Sequence, residues 1–559
     1  MKDQERIFWD TTKHPVEYPD KIRKIYFRVS LQSRKHFTIW VGNISKNFAN
    51  DIDWWVASPL SRHPYLSNLF NSICILRTLE ILSNQIKDVL VKVNSKSLFD
   101  IIKIWSDKNK LSINVDYVRK NRKIGEVFII SKCIFFYFFL FFSIRNLTKK
   151  ITLNKNFNNN VLIDTYAIKE SIQNECFYKG LDRFLKKKKL NYVFFVPTFV
   201  SQKNVFNIIK IIKALNQRNY LFKEHYLKFT DILFACTYFL RTKKYIKKYK
   251  FYKNWDLSKI ICEEIISSNN YSSQVGAILN YKFAKNLSEN KIPIKKTIKW
   301  FENHIVDKGW NLGFRKYFNK TKTYGYQGFL SVPHLMHLNP AKHEEYAKVI
   351  PSEIITVGKA YVKLKKEFFS KLKVLVGPAL NYQHIYKINL IKNKKIKILI
   401  ILTGIKAYDL KLLEWVQKVS KIDNIKITIK PHPILPMNKI ITNKNFPKNY
   451  IVSNENLSSL LEKTKIAVSS GPTGATIECL AYNCILLIPV IDAMDEFNLK
   501  NLDIAQGKYN LIYNEVELVK KIRKIIKKKY ILKNDRKGNF KFINSLFEKV
   551  TNKNLKYYY

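Results

Sequence analysis

From residue 53 the chain alternates short apolar runs with stretches of helical period. Asp53–Pro59 reads as a buried strand, Ser67–Leu82 as an amphipathic helix and Val89–Asn94 as a strand. Ser97–Lys108 reads as a helix and Leu111–Tyr117 as another strand. Parallel strands need a crossover, usually a helix, so this rhythm predicts βαβ units and a parallel sheet. It resumes at Val161–Tyr166 and Tyr192–Phe199. Residues 201–290 read as mainly helical and basic. Lys296–His304, Lys322–Phe329, Glu353–Tyr361 and Lys373–Pro378 each read as a strand running into a polar or glycine loop. A second α/β set begins near Lys394. Its strands are KIKILIILTG, NIKITIKPHP, IAVSSGPTG and CILLIPVID, with helical patterns between them and a basic helix, VELVKKIRKIIKKK, after the last. The boundary is expected near residues 385–393, giving an N-terminal domain of 1–385 and a C-terminal domain of 386–559. No internal repeat and no Gly/Ser linker interrupts either.

One stretch breaks the rhythm. Val127–Ile144 is apolar except for Ser131, Lys132 and Ser143. Basic residues flank it: Arg119, Lys120, Arg122 and Lys123 before, Arg145, Lys149 and Lys150 after. Eighteen residues is short for a spanning helix, and Lys132 would lie inside the bilayer. A buried aromatic helix is one reading. The preferred expectation is a membrane-associating insertion at 124–150, dipped into one leaflet with its basic flanks on lipid phosphates.

Composition narrows the classes. The 559 residues are 46 % hydrophobic and 14 % aromatic, which excludes disorder and low-complexity classes. Net charge is +56, yet only 15 of the 99 basic residues are Arg. Nucleic-acid sites favour the planar, bidentate Arg fork, so this balance points away from nucleic acid and toward an anionic membrane surface or phosphate-bearing substrates. The seven cysteines are scattered, with no CxxC pair, as in a reducing cytosolic compartment. The polar start MKDQERIFWDTTKHP has no signal-peptide pattern.

The most informative segment is Ile466–Val490. A strand ends in Ser469-Ser470-Gly471-Pro472-Thr473-Gly474 and a helix follows. Hydroxyls and free backbone N–H groups at a helix start suit a phosphate. Glu478 falls four residues after Gly474, where a carboxylate could accept from ribose hydroxyls. An ordinary strand–turn–helix with a capping Thr is the alternative. The second segment is Lys430-Pro431-His432-Pro433. Two prolines stiffen the loop and hold an imidazole at the sheet's carboxyl edge, where such folds bind ligands. Gly404, ending KIKILIILTG, joins the same expected edge.

A strand ending in His-Pro, followed some 37 residues later by a strand ending in Ser-Ser and a helix, resembles the bacterial sialyltransferases and Kdo transferases of GT-B fold. The likeness covers roughly Lys394–Val490. It implies two Rossmann-like domains facing a cleft, with a CMP-sugar on the C-terminal one. It implies that His432 and Pro433 contact the CMP phosphate or ribose, and that Ser469 and Ser470 hold the phosphate. Thr473 to Glu478 is also similar to nucleotide-sugar GT-B transferases more broadly. CDP-glycerol polymerases of teichoic acid synthesis share a related pattern, and the wider chain is similar to surface-carbohydrate synthesis proteins. Metal independence is implied as well, since hydroxyls, a helix end and basic side chains can stabilise the leaving phosphate.

The chain departs from that family in lacking its short acidic Asp/Glu-Asp/Glu-Gly motif. The candidate bases are Glu302, in KWFENH, and Asp164, in LIDTY, both at strand ends. For Glu302 the bland alternative is a pairing with Lys308 or Arg315. Arg62 could meet a sugar or acceptor carboxylate bidentately, or simply lie on the surface. His334, His337, His343 and Glu344 lack a helical frame that would converge them on zinc, so no metal is expected. Gly309–Gly313 reads as a turn. The expectation is thus a glycosyltransferase on the cytoplasmic face of the inner membrane, using a nucleotide sugar and a glycan or lipid-linked acceptor. A CDP-glycerol-type phosphotransferase, a UDP-sugar transferase and a non-catalytic assembly scaffold are the alternatives.

Overall fold

The computed structural model describes residues 6–559 except 65, 87, 119–121, 154–158, 200–203, 247, 248, 250, 251, 253, 254, 389–393, 395–397, 420–425, 441–449, 472, 502–508 and 528–535. Three parallel sheets organise them. The first holds β1 (Arg6–Asp10), β2 (Asp88–Val93) and β3 (Ile113–Tyr117) in the order β1-β2-β3. The second holds β4 (Val161–Ala167), β5 (Val193–Phe199), β6 (Lys296–Trp300), β7 (Lys322–Gln327), β8 (Glu353–Thr356) and β9 (Val374–Val376) in the order β5-β4-β6-β7-β8-β9. The third holds β10 (Ile398–Ile401), β11 (Ile427–Lys430), β12 (Tyr450–Val452), β13 (Ile466–Ser469), β14 (Ile485–Pro489) and β15 (Asn510–Ile512) in the order β12-β11-β10-β13-β14-β15.

The two six-stranded sheets are the expected Rossmann-like pair. Every residue of β10, β13 and β14 is buried, the continuous apolar signature of a strand covered on both faces. Strand order reverses beside β4 in the second sheet and beside β10 in the third. The crevices at the carboxyl ends of β4/β6 and β10/β13 are therefore where such sheets take ligands. The two carboxyl edges face one another. His334, in the loop after β7, donates its backbone N–H to Asn498 Oδ1 at 2.9 Å, and Asn498 lies on the helix Ala493–Asn501 after β14.

Two expectations change. Asp53–Pro59 is not a strand: it forms the helix Ile52–Trp55 and the 3-10 turn Ser58–Ser61. Asp51 caps this helix by accepting from the Asp53 N–H at 3.1 Å. A short run dominated by apolar residues has no period that separates strand from buried helix. Gly309–Gly313 is not a turn but the middle of the helix Ile305–Tyr317. A Cβ on Gly309 would sit 1.7 Å from the Ala277 carbonyl oxygen, so glycine here lets this helix press onto Tyr271–Glu289. The expected domain boundary falls partly on 389–393, outside the described residues. Beyond it the chain does not stay with the third sheet. Residues 547–559 return to the second, where Lys296 Nζ donates to the Tyr557 and Tyr559 carbonyls at 3.1 and 2.8 Å and Tyr558 is buried against Tyr178 and Tyr326.

The apolar stretch is one helix, Arg122–Leu147, and its segment Gly125–Leu147 is long and apolar enough to cross a membrane. Its two faces differ. Cys133, Phe136, Tyr137, Leu140, Phe141 and Ile144 are buried at helical spacing, and Tyr137 donates to the Ser272 carbonyl at 2.7 Å. On the other side Val127, Phe128, Phe135 and Phe142 are exposed by half or more. Lys132 is exposed, with its ammonium over the Phe128 ring.

Candidate active site

At the third sheet's carboxyl edge, the chain leaves β10 through Leu402 into the turn Thr403-Gly404. Asp409 gathers this turn, accepting from the Thr403 N–H at 2.7 Å, the Thr403 hydroxyl at 2.8 Å and the Gly404 N–H at 3.0 Å. Gly404 has φ +84°, and a Cβ there would lie 2.8 Å from the His432 ring. Only glycine both adopts that conformation at ease and lets the imidazole pack on the backbone. His432 Nδ1 accepts from the Ile434 N–H at 3.2 Å, which fixes the ring within its proline-bounded loop. Burial pushes the His432 pKa down, with Asp409 partly opposing it. Pro433 is exposed beside it.

Next along the same edge, β13 runs into the Ser-Ser loop. Ser469 is spent internally, 3.2 Å from the Thr476 hydroxyl, and that hydroxyl donates to the Gly471 carbonyl at 2.7 Å. Thr473 caps the helix Gly474–Ala481 through the Thr476 N–H at 3.3 Å. Ser470 differs: its side chain is buried at 2 % exposure, and its Oγ has no hydrogen-bond partner. Buried hydroxyls are ordinarily paired, and among the described residues Ser470 is one of several that are not. Gly474 abuts Tyr382, and Glu478 lies 3.5 Å from His384 Nε2, so both face the segment linking the sheets. Pro472 lies outside the described residues. The structure thus brings Gly404, His432, Ser470, Gly471 and Thr473 to one switch point, while Glu478 points at His384.

The second sheet's switch point is a buried charge network. Asp164 accepts from Lys299 at 2.7 Å and from the Thr198 hydroxyl at 2.6 Å, and Lys299 also reaches Asp307 at 3.3 Å. All three charged side chains are fully buried. Asp164 is therefore a framework residue, closed off from any acceptor. Asp307 uses its other oxygen to receive the Glu302 and His304 N–H groups at 3.1 and 2.9 Å, which shapes the turn after β6.

That turn presents Glu302. Its carboxylate accepts from Trp300 Nε1 and meets His304 Nε2, both at 2.7 Å. The side chains stay 32 % and 23 % exposed, so the pair is open to a ligand. Burial works to raise Glu302, but the His304 and Trp300 hydrogen bonds outweigh it and hold the pKa below the usual value. Burial likewise works to lower His304, but Glu302 outweighs it and holds the imidazole above 6.5. Neither Lys308 nor Arg315 pairs with Glu302: Lys308 holds Glu344 at 2.5 Å, and Arg315 holds Glu345 at 2.8 Å. His304 follows Glu302 by two positions in KWFENH, a spacing that a tight turn closes into a contact.

Arg62 is not an acceptor clamp. It is 1 % exposed and bound to Glu344 at 2.7 Å and to the Asn339 carbonyl at 3.0 Å. Burial opposes the Glu344 charge, but Arg62 and Lys308 together hold that carboxyl far below its usual range. The histidines also regroup. His334 pairs with Asn498, His343 packs on Trp55, and His337 instead joins His63 and His304. Ring nitrogens of these three lie within 4.8 Å of one another, close enough to raise a metal site. The His63 and His337 rings lie 3.8 Å apart between centroids, tilted by 31°.

No family model matches this chain, and no curated protein matches it. Among solved structures it is similar to a glycosyltransferase from Rickettsia africae ESF-5, at 12 % identity and TM-score 0.39 over 72 % of this chain and 96 % of that one. It is similar to CalG4, the calicheamicin glycosyltransferase, at 9 % identity and TM-score 0.38 over 70 % and 95 %. It is similar too to TarM, at 13 % identity and TM-score 0.40 over 72 % and 98 %.

Proposed function

We propose that the chain is a nucleotide-sugar-dependent glycosyltransferase of GT-B arrangement. It would move a sugar, of sialic acid or Kdo type, from a CMP-linked donor to a surface polysaccharide or lipid-linked acceptor. The observation that carries the reading is the Ser470 hydroxyl. It is buried, unpartnered and set at the β10/β13 switch point, between the His432 loop and the start of an eight-residue helix. A donor phosphate would supply the missing acceptor and complement the helix's positive end. On this reading Ser470, Thr473 and Gly471 line the phosphate, His432 and Gly404 border the ribose, and Glu302 takes the acceptor proton with His304 beside it. These groups stabilise the leaving phosphate without a metal.

The exposed aromatic face of Arg122–Leu147 fits the inner membrane's cytoplasmic surface. Phe229 and Leu233 extend it, with Phe229 5.5 Å from Phe138 between ring centroids. Lys149 and Lys150, both exposed, follow for lipid phosphates, while Arg145 is spent on the Glu224 and Leu227 carbonyls.

Thermal shift and calorimetric titration with CMP, CDP, UDP and GDP test the donor. CMP alone should stabilise the protein. Preference for UDP or CDP would leave glycosyl or glycerol-phosphate transfer and remove the sialic acid and Kdo reading. No nucleotide binding at all would leave the scaffold reading.

A further inference from the structure

A pocket of about 320 Å³ lies at the amino-terminal end of the helix Arg122–Leu147. Val127 and Ile130 of that helix form one wall, and Phe239, Ile265 and Ile266 form others. Val127, Phe239 and Ile266 are also exposed, so the apolar lining runs out of the pocket and onto the helix's outer face at Val127 and Phe128. The 3-10 turn Ser268–Asn270 and the helix Tyr271–Glu289 supply Ser268, Tyr271 and Gln274 to the lining. Ser267, which caps that turn, also lines a second cavity, of about 420 Å³, at the carboxyl ends of β1 and β2. Pro64 and Met336 line the second cavity and are chain neighbours of His63 and His337, so it adjoins the Glu302–His304 cluster. One turn of chain thus borders both the pocket and a cavity on the active-site side.

The polar side chains of the 320 Å³ pocket sort into two groups. Tyr238 and Tyr271 donate their hydroxyls to the Asp53 and Cys236 carbonyls, and Thr242 donates its own to the Phe239 carbonyl. Ser268 and Gln274 are buried as deeply, at 3 % and 1 % exposure. Yet among the described residues Ser268 Oγ and Gln274 Nε2 have no hydrogen-bond partner. Buried donors are costly to leave unpaired, and two in one apolar pocket suit an oxygen brought by an occupant. Both are uncharged, and a single carbonyl oxygen has the two lone pairs to accept from both. A plain hydrocarbon or prenyl chain would leave them unpaired. A fatty acyl chain brings its ester carbonyl with it.

We propose that this pocket seats one acyl chain of a bilayer glycerolipid, with the ester carbonyl on Ser268 Oγ and Gln274 Nε2. The proposal rests on the membrane reading of Arg122–Leu147 for the source of the chain alone. A chain held there draws Ser267, and the cavity it borders, to the leaflet surface.

Ligand-observed NMR titration of the full chain tests it with monooctanoylglycerol and 1-O-octylglycerol, both below their micelle concentrations. The two probes share chain and head and differ in the carbonyl. The ester should bind about two- to tenfold more tightly, the worth of a hydrogen bond. Ser268→Ala with Gln274→Met should bring the two within about twofold. It should leave the melting temperature no lower, since it removes unpaired buried groups. Ile266→Trp, at the exposed mouth, should weaken both probes tenfold or more with the melting temperature unchanged. Equal binding of ester and ether to the unaltered chain, no binding by either, or binding that survives Ile266→Trp would each overturn the proposal. Sedimentation with phosphatidylglycerol vesicles reads the membrane part separately. Ester preference without sedimentation would overturn the bilayer as the source of the chain. Sedimentation without ester preference would keep the membrane reading and overturn the pocket.

Discussion

His304 Nε2 and Glu302 Oε2 meet at 2.7 Å across a single residue, Asn303, whose φ of +57° folds the two side chains together. Asn tolerates this left-handed conformation better than other side-chain-bearing residues. Asn303 Nδ2 donates to the His337 carbonyl at 2.8 Å, and Lys308 Nζ donates to its Oδ1 at 2.6 Å. The turn is thus held from both sides, so the pair's geometry is built in before any ligand arrives.

Glu302→Gln should lower turnover by about 10²–10⁴-fold, the usual worth of positioned acid–base catalysis. Nucleotide affinity should not change. Steady-state kinetics with a CMP titration checks both. Asp164→Asn should act differently, through loss of folded protein, because it leaves Lys299 buried with one partner fewer; breaking such a pair costs about 3–5 kcal/mol.

The same pair sets a pH dependence. His304 is raised above 6.5, so its share of folding stability is complete below about pH 6.5 and lost as pH rises through the raised value. Glu302 is lowered from 4.5, so its share is complete above about pH 4.5 and lost as pH falls through the lowered value. Denaturation midpoints should therefore show the pair's contribution at its fullest between those limits. Turnover should run the other way. It should fall in acid with a midpoint above 6.5, as His304 takes a proton and weakens Glu302 as a base. Glu302→Gln should move the His304 midpoint, followed by NMR, downward.

Ser470→Ala should separate binding from stability. Removing an unpaired buried hydroxyl leaves folding stability unchanged or slightly higher. Removing a phosphate donor should weaken nucleotide binding by about 0.5–1.5 kcal/mol. Calorimetric titration and thermal melts on one preparation give both signs.

The faces of Arg122–Leu147 should respond oppositely. Phe128→Ser with Phe135→Ser, at 67 % and 64 % exposure, should reduce sedimentation with anionic liposomes and leave the melting temperature nearly unchanged. Phe136→Ala, on the buried face, should cost about 3–5 kcal/mol in denaturant unfolding. If the outer substitutions destabilise equally, that face is covered by protein rather than lipid.

Gly309→Ala should be severe for so small a change. The added methyl meets the Ala277 carbonyl oxygen at 1.7 Å, and overpacking against backbone costs about 3 kcal/mol or more. Chemical denaturation measures it.

The six-stranded sheets were legible because several of their strands are apolar runs bounded by polar loops, as in Val161–Tyr166 and Ile466–Ser469. The loops at the β10/β13 crevice were legible because Gly, Pro and Ser mark turns that must follow a strand. What stayed hidden depends on partners distant in sequence. Arg62 reads as a free cation until Glu344 is folded onto it, 282 positions away. Gly309 reads as a turn until the neighbouring helix explains it. The cavity beside β1 draws its walls from eight separate segments, and no local pattern encodes such a meeting.

The returning tail constrains how the cleft can move. The polypeptide passes between the six-stranded sheets twice, once through Leu380–Lys387 and again at Phe547–Glu548. The passages run side by side: Ala379 donates to the Glu548 carbonyl at 2.9 Å, Val550 to Gln383 Oε1 at 3.0 Å, and Tyr386 to the Phe547 carbonyl at 2.6 Å, while Tyr382 stacks on Phe547. One connection would let the halves swivel in any direction. Two, laced together, tie the six-stranded sheets to one another along a single line and remove that freedom.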